Sequence, residues 1–394
     1  MAVTILRNAQ LHITSEEFVD AQSIGILDHR IVPVSSHLLE DGTAEEIDVR
    51  GMHVCPGFID LLVNGCAGAS FLQNPSVETL EQMRRWQTQH GTTTFVPTMI
   101  SGPRESLTKG LAAVAEFKEK HPTICPGIHL EGPFISQTYK GFHPSGYIRP
   151  FTPADFEFVM SYKDAIAYMT IAPENLKAKN IVDLLGAKIK LSLGHTATTY
   201  YEAMQAFKAG ITNVTHLFNA MRSPMGREPG LVGATLQSEK TYAGIIADGR
   251  HVHPALVKLA KKMLGSRLYI VSDSQAVAGM SKAPASFVVG GTEIFVDHKR
   301  GLIDAKGSYA GTSICMLDGI KFLIQSCGFT MDEALEAATY APAKAIGLQD
   351  LGRIEGGFIA DLVIFDDDFK IQYVVQNGFV KSVAELIQYE LQHS

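Results

Sequence analysis

KIKLSLGHTATTYYEAMQAFKAGITNVTHLF, residues 188–218, contains one complete strand–helix–strand unit. KIKLSLGH (188–195) is an apolar run ending in a histidine. A helical pattern follows over 200–208, and TNVTHLF (212–218) is a second apolar run with a histidine, His216, near its end. Strands that alternate with helices read as parallel βαβ units. Six further runs of the same kind flank this one: MHVCPGFIDL (52–61), TTTFVPT (92–98), ICPGIHLEG (124–132), AYMTIAPE (167–174), YAGIIADG (242–249) and RLYIVSDS (267–274). Eight such strands predict an α/β fold, a (β/α)₈ TIM-type barrel. Helices are expected at 77–90, 106–120, 174–185, 200–208, 254–264 and 331–346, with a helix-like stretch at 312–325 and a strand-rich insertion, SFVVGGTEIFVDHKRG, at 286–301.

The two ends have a different texture. SIGILDHRIVPVSS (23–36) and ADLVIFDDDFKIQYVVQNGFVKS (360–382) alternate short strand-like pieces with polar turns. Residues 1–53 and 350–394 are therefore expected to pair into one small β domain, leaving 54–349 for the barrel. The 394 residues suffice for a full core without staples. The charge is 34 basic against 41 acidic side chains, −7 and dispersed, which argues against a nucleic-acid partner. No run of about 18 uninterrupted apolar residues suggests a membrane span. The opening MAVTILRNAQLHITSEE lacks the features of a secretory signal. Five cysteines, an odd number with no CxxC pair, fit buried small hydrophobes in a reducing, cytoplasmic setting.

Polar residues close each apolar run: Asp60 and Asn64, Thr98, Glu131, Glu174, His195, His216, Asp248 and Asp273. In a TIM barrel those strand ends form the active-site mouth. A lone histidine there is usually structural. Glu131, His195 and His216 together, on strands three, five and six, make the His₂–carboxylate set of an open zinc site. A metal there lowers the pKa of a bound water. Asp273, ending strand eight, could relay the proton, with an ion pair or cap as the alternative. His129 sits two residues before Glu131 and reads as barrel filler or a support for the ligands.

Further motifs carry a resemblance: PGFID (56–60), GTTTFVPT (91–98), HLEGPF (129–134), KGFHP (140–144), LGHT (193–196), THLFNAM through GREPGLVGA (215–234), IADGRHVHP (246–254), VSD (271–273), AGTS (310–313) and PAKAIGL through LGRIEGGFIADLVIFD (342–366). In order along nearly the whole chain, they resemble the N-acetylglucosamine-6-phosphate deacetylases of the amidohydrolase superfamily. The resemblance implies a barrel plus a small β-sandwich from both termini. It also implies metal-dependent hydrolysis of an amino-sugar phosphate acetamide; the His₂–carboxylate set favours zinc, and Leu62 and Asn64 in place of a His-x-His pair leave one divalent ion per subunit expected. Glu131, His195 and His216 would be ligands. Asp273 would activate water and then protonate the amine. The backbone amides of Asn219 and Ala220 would hold the phosphate. Arg227 would reach the neighbouring subunit's site, implying a homodimer or tetramer. His143 and His251 would meet the sugar. On residues alone, Arg227 pairing with Glu228, His143 as a solvated loop histidine and His253 as a helix start stay open.

Three departures stand out. Leu62 and Asn64 occupy positions where many amidohydrolases carry a His-x-His pair for a second metal. Strand four holds no bridging lysine. Tyr309, expected to border the acyl pocket, and Ser274 and Gln275 replace residues that are usually smaller or apolar. The galactosamine epimer and a non-catalytic scaffold are the competing readings.

Overall fold

In the computed structural model, residues 3–19, 21–34, 44–297 and 299–393 are described. Ser35, Ser36 and His298, parts of two expected strand regions, lie outside them. The central sheet has eight parallel strands: β1 (Phe58–Val63), β2 (Thr92–Ile100), β3 (Ile128–Glu131), β4 (Ile166–Ile171), β5 (Leu191–Leu193), β6 (Asn213–Val214), β7 (Tyr242–Ile246) and β8 (Leu268–Val271). Each pairs with the next in chain order. Every residue of β1, β2 and β3 is buried, which is why the sequence reads as continuous apolar runs there rather than alternating ones.

The seam between β8 and β1 is closed by individual hydrogen bonds instead of a regular ladder. The Asp273 amide donates to the Leu62 carbonyl (3.0 Å), and the Asn64 amide to the Ser274 carbonyl (2.9 Å). The Ser272 amide donates to the buried Asp60 carboxylate (3.1 Å). Burial raises the Asp60 carboxyl to about 6 despite these donors.

Both termini supply a second body. Gln10–Leu11, His53–Pro56, Leu362–Phe365, Ile371–Gln376 and Phe379–Ser382 form a five-stranded sheet. Arg30–Val32, Ser23–Leu27, Val3–Arg7 and Glu45–Asp48 form a four-stranded one. Leu6, Phe18, Ile24 and Ile31 pack with Ile354, Leu362 and Ile364 in a core of their own, distinct from that of the barrel. The run 52–61 serves both bodies. His53–Pro56 pairs antiparallel with Leu362–Phe365, straddling the boundary expected at 53/54, and β1 begins two residues later.

Most helices fall where the pattern places them; Tyr200–Lys208 and Pro254–Leu264 match to the residue. The helix expected at 174–185 starts at Ala178, because Pro173–Asn175 form a separate short turn. The expected 331–346 helix is two, Met331–Ala338 and Tyr340–Ile346. Pro342 lacks the amide a continuous helix needs, and its ring would clash with the carbonyl four residues back. The 312–325 stretch becomes helical only at Met316, since Thr312 bonds Gln275 and Ser272 beside β8. Pro153–Ser161, Gly230–Gln237 and Val383–His393 are helices not anticipated. The insertion is a three-stranded antiparallel sheet (Ser286–Val289, Thr292–Asp297, Gly301–Asp304) packed on Ile100 and Phe142 at the barrel mouth.

Candidate active site

Glu131 ends β3, and His195 and His216 follow β5 and β6, so all three reach the same end of the barrel. His195 Nε2 lies 3.2 Å from Glu131 Oε1, His216 Nε2 2.9 Å from the same oxygen, and the two nitrogens are 3.0 Å apart. All three residues are buried. His195 donates its Nδ1–H to the Tyr139 carbonyl (2.8 Å), so its Nε2 turns a lone pair towards the others. A single proton on His216 Nε2 could serve only part of such a cluster of acceptors. The donor set fits a divalent cation. Burial opposes charge on Glu131, but His143, His195 and His216 outweigh it and hold its carboxyl well below the usual range.

His143 is fully buried, which removes the solvated-loop reading. Its Nδ1 faces the Ser101 hydroxyl (3.0 Å) and amide (3.4 Å), and its Nε2 lies 3.5 Å from Glu131 Oε2 without a good hydrogen bond. Burial and then His195 push its pKa down to about 4, so the ring is neutral at neutral pH.

Asp273 is also buried, and Asn64 Nδ2 donates to its Oδ1 at 2.8 Å. Burial and then the Glu131 charge push the Asp273 carboxyl up to about 8, against the pull of His216 and Asn64. A nearby cation acts in the opposite direction and favours the carboxylate. Asn64 drew notice in the sequence only as a missing ligand; in the fold it orients Asp273. Leu62 is buried among apolar side chains.

Below the trio, hydroxyls form a chain through the barrel. Thr98 Oγ1 meets His129 Nδ1 (3.1 Å), and His129 Nε2 meets Thr170 Oγ1 (2.7 Å). Thr215 then bridges Thr170 and Ser192, each at 2.7 Å. His129 stacks on Tyr168 (4.0 Å between centroids), and burial lowers its pKa to about 3. It is the neutral barrel filler the sequence suggested.

The loop after β6 carries the expected phosphate donors. The Asn219 amide is already given to the His216 carbonyl (2.9 Å), leaving the Ala220 amide without a backbone partner among the described residues. Arg227 is exposed and, among the described residues, makes no ion pair. Glu228 instead accepts the amides of Tyr200 (2.8 Å) and Gly230 (2.9 Å), so the local pair considered for Arg227 does not form. His253 caps Pro254–Leu264, accepting from the Ala255 amide, and is the helix start considered for it. Tyr309 lies against His251, ring centroids 4.6 Å apart. Asp248, seen in the sequence only as a polar strand end, accepts from His251 Nδ1 at 2.8 Å.

Known proteins resemble the chain throughout. An N-acetylglucosamine-6-phosphate deacetylase of Haemophilus influenzae is 40% identical over 343 residues, 86% of this chain and 89% of the relative. An N-acetylgalactosamine-6-phosphate deacetylase of a Shewanella species is 32% identical over 95% of both chains. The crystal structure of N-acetylglucosamine-6-phosphate deacetylase from Pasteurella multocida superposes with a TM-score of 0.90 at 36% identity, covering 96% of this chain and all of that one. The amidohydrolase family model matches residues 53–383. With a parallel barrel, a buried His₂–carboxylate trio at its mouth and these relatives, the chain belongs to the amidohydrolase family.

Proposed function

We propose that the chain is a metal-dependent deacetylase that hydrolyses the acetamide of N-acetyl-D-glucosamine 6-phosphate, giving D-glucosamine 6-phosphate and acetate. The observation that carries this is the convergence of Glu131, His195 and His216 near a buried carboxylate, Asp273, held by Asn64. One divalent ion per subunit would be held by the trio. Two imidazoles and a carboxylate favour zinc, although availability also decides. When bound, the ion supplies Lewis acidity towards water and the acetyl carbonyl.

Asp273 takes the proton from the attacking water and returns it to the sugar nitrogen as the C–N bond breaks. His143 presents an imidazole edge beside Glu131, and His251 and Tyr309 line the sugar and acyl side. The substrate phosphate meets the Ala220 amide and the Asn219 side of the same loop. In a homodimer, Arg227 of one subunit reaches the phosphate in the other's site as a forked cation. The reading places the protein in the cytoplasm, in amino-sugar catabolism, with 1–53 plus 350–394 as the small domain and 54–349 as the catalytic one.

The Shewanella relative motivates a second reading, the galactosamine epimer. Epimers differ by one hydroxyl, and a buried hydrogen bond decides between them. Purified protein is assayed on both sugar phosphates with its metal content measured. Preference for the gluco substrate in a zinc-containing protein supports the first reading. Equal or faster turnover of the galacto substrate overturns it, and metal-free protein unresponsive to zinc overturns both.

A further inference from the structure

Asp248 follows β7 at the barrel mouth and shares its turn with His251. Both side chains are almost sealed, with 3% and 5% of their surface exposed. Asp248 Oδ1 accepts the amides of Arg250 and His251, each at 2.8 Å, which fixes the carboxylate in the turn. Its Oδ2 lies 2.8 Å from His251 Nδ1, so that nitrogen carries the proton. Burial alone would raise the Asp248 carboxyl, but the His251 contact and the two amides leave it below the ordinary range, an ionised acceptor. Tyr309 packs on the imidazole at 4.6 Å. His251 Nε2 has no protein partner among the described residues.

We infer that Asp248 is a positioning residue for the deacetylation: it fixes the His251 rotamer and keeps the ring protonated at Nδ1, so Nε2 is the atom offered to substrate. The inference rests on the deacetylase reading, in which His251 meets the sugar. A nitrogen's role towards a ligand is set by the hydrogen bond that the other nitrogen makes. Asp248→Asn tests this with little disturbance of the turn, because an amide oxygen still accepts both backbone amides. Its NH₂ would instead donate to Nδ1 and drive the ring proton to Nε2.

The test uses the metal-loaded enzyme. Asp248→Asn is expected to lower kcat/KM by about 10- to 100-fold, the range that follows loss of the hydrogen-bond partner of a metal-ligating histidine. Bound zinc should be unchanged and Asp248→Glu should recover part of the loss. In ¹⁵N-histidine NMR, the His251 signal, assigned by its loss in His251→Gln, should show a protonated Nδ1 in the wild type. It should show a protonated Nε2 with unprotonated Nδ1 in Asp248→Asn. A kcat/KM within threefold of wild type, or a wild-type His251 protonated at Nε2 alone, overturns the inference. If Asp248→Asn does not fold, the wild-type spectrum decides by itself. If wild type hydrolyses neither sugar phosphate, the deacetylase reading fails, and the spectrum still reports whether Asp248 sets the tautomer.

Discussion

Replacing Asn64 by alanine isolates one hydrogen bond at the proposed catalytic carboxylate. Asn64 Nδ2 donates to Asp273 Oδ1 at 2.8 Å, between two residues that are 3% and 7% exposed. Hydrogen bonds to charged groups are worth about 1.5–3 kcal/mol. Losing this one frees the carboxylate from its fixed orientation; if that whole energy is what holds the reactive orientation, with each 1.36 kcal/mol a factor of ten, turnover falls about 10- to 150-fold. The bond favours the ionised form, so its loss raises the Asp273 pKa. The acid limb of the pH–rate profile therefore moves to higher pH. Among the described residues Asn64 makes no hydrogen bond to Glu131, His195 or His216, so zinc stoichiometry should hold. Steady-state kinetics across pH with metal analysis checks both. Turnover within threefold of wild type and an unmoved acid limb would refute the argument that Asn64 supports Asp273.

Asp273→Asn should retain metal and substrate binding while kcat falls at least about 100-fold, as for loss of a general acid–base; near-normal turnover removes Asp273 from the chemistry. Arg227→Ala should raise KM for the phosphorylated sugar and leave kcat close to wild type; equal reactivity of unphosphorylated N-acetylglucosamine with the wild-type enzyme would discard the phosphate assignment. Chelation should abolish activity and zinc restore it, read as turnover against metal content. Asp361, buried and raised to about 7, carries a pH-dependent cost. Its folded pKa exceeds the unfolded one near 3.8, so the folded state binds more protons in between. The associated stability is full below about pH 4, falls as pH rises and is lost above about pH 7. Denaturation of Asp361→Asn should show a gain over wild type at pH 8 that vanishes at pH 4; equal differences at both would contradict this.

The barrel was legible because burial turns the parallel strands into largely apolar runs, and because the candidate ligands sit at the ends of those runs. Glu131, His195, His216 and Asp273 share that address, and the three proposed ligands converge. The supporting residues had no local signature. Asn64 and Asp273 are 209 positions apart and become partners only when the first and last strands meet. Asp248 and His251 are three apart, but an acid near a histidine in a turn is commonplace until burial is known. The anticipated donation by the Asn219 amide gave way to the turn closed on the His216 carbonyl, a backbone detail that composition cannot reveal. The short Gly230–Gln237 helix, capped by Pro229 and with Gly230 and Gly233 in its first turn, also lacked a periodic stretch long enough to read.

The β8–β1 seam has a consequence for how the molecule comes into being. The atoms that stitch it, Leu62 and Asn64 on one side and Asp273 and Ser274 on the other, include the proposed base and its support. Contacts between such distant parts of a chain carry a loop-closure cost and tend to slow folding. A nascent chain that has completed seven strands could have all three ligand histidine and glutamate positions, yet would lack a seated base. Metal uptake would then precede competence during refolding, and the lag between the two would time the docking of the last strand.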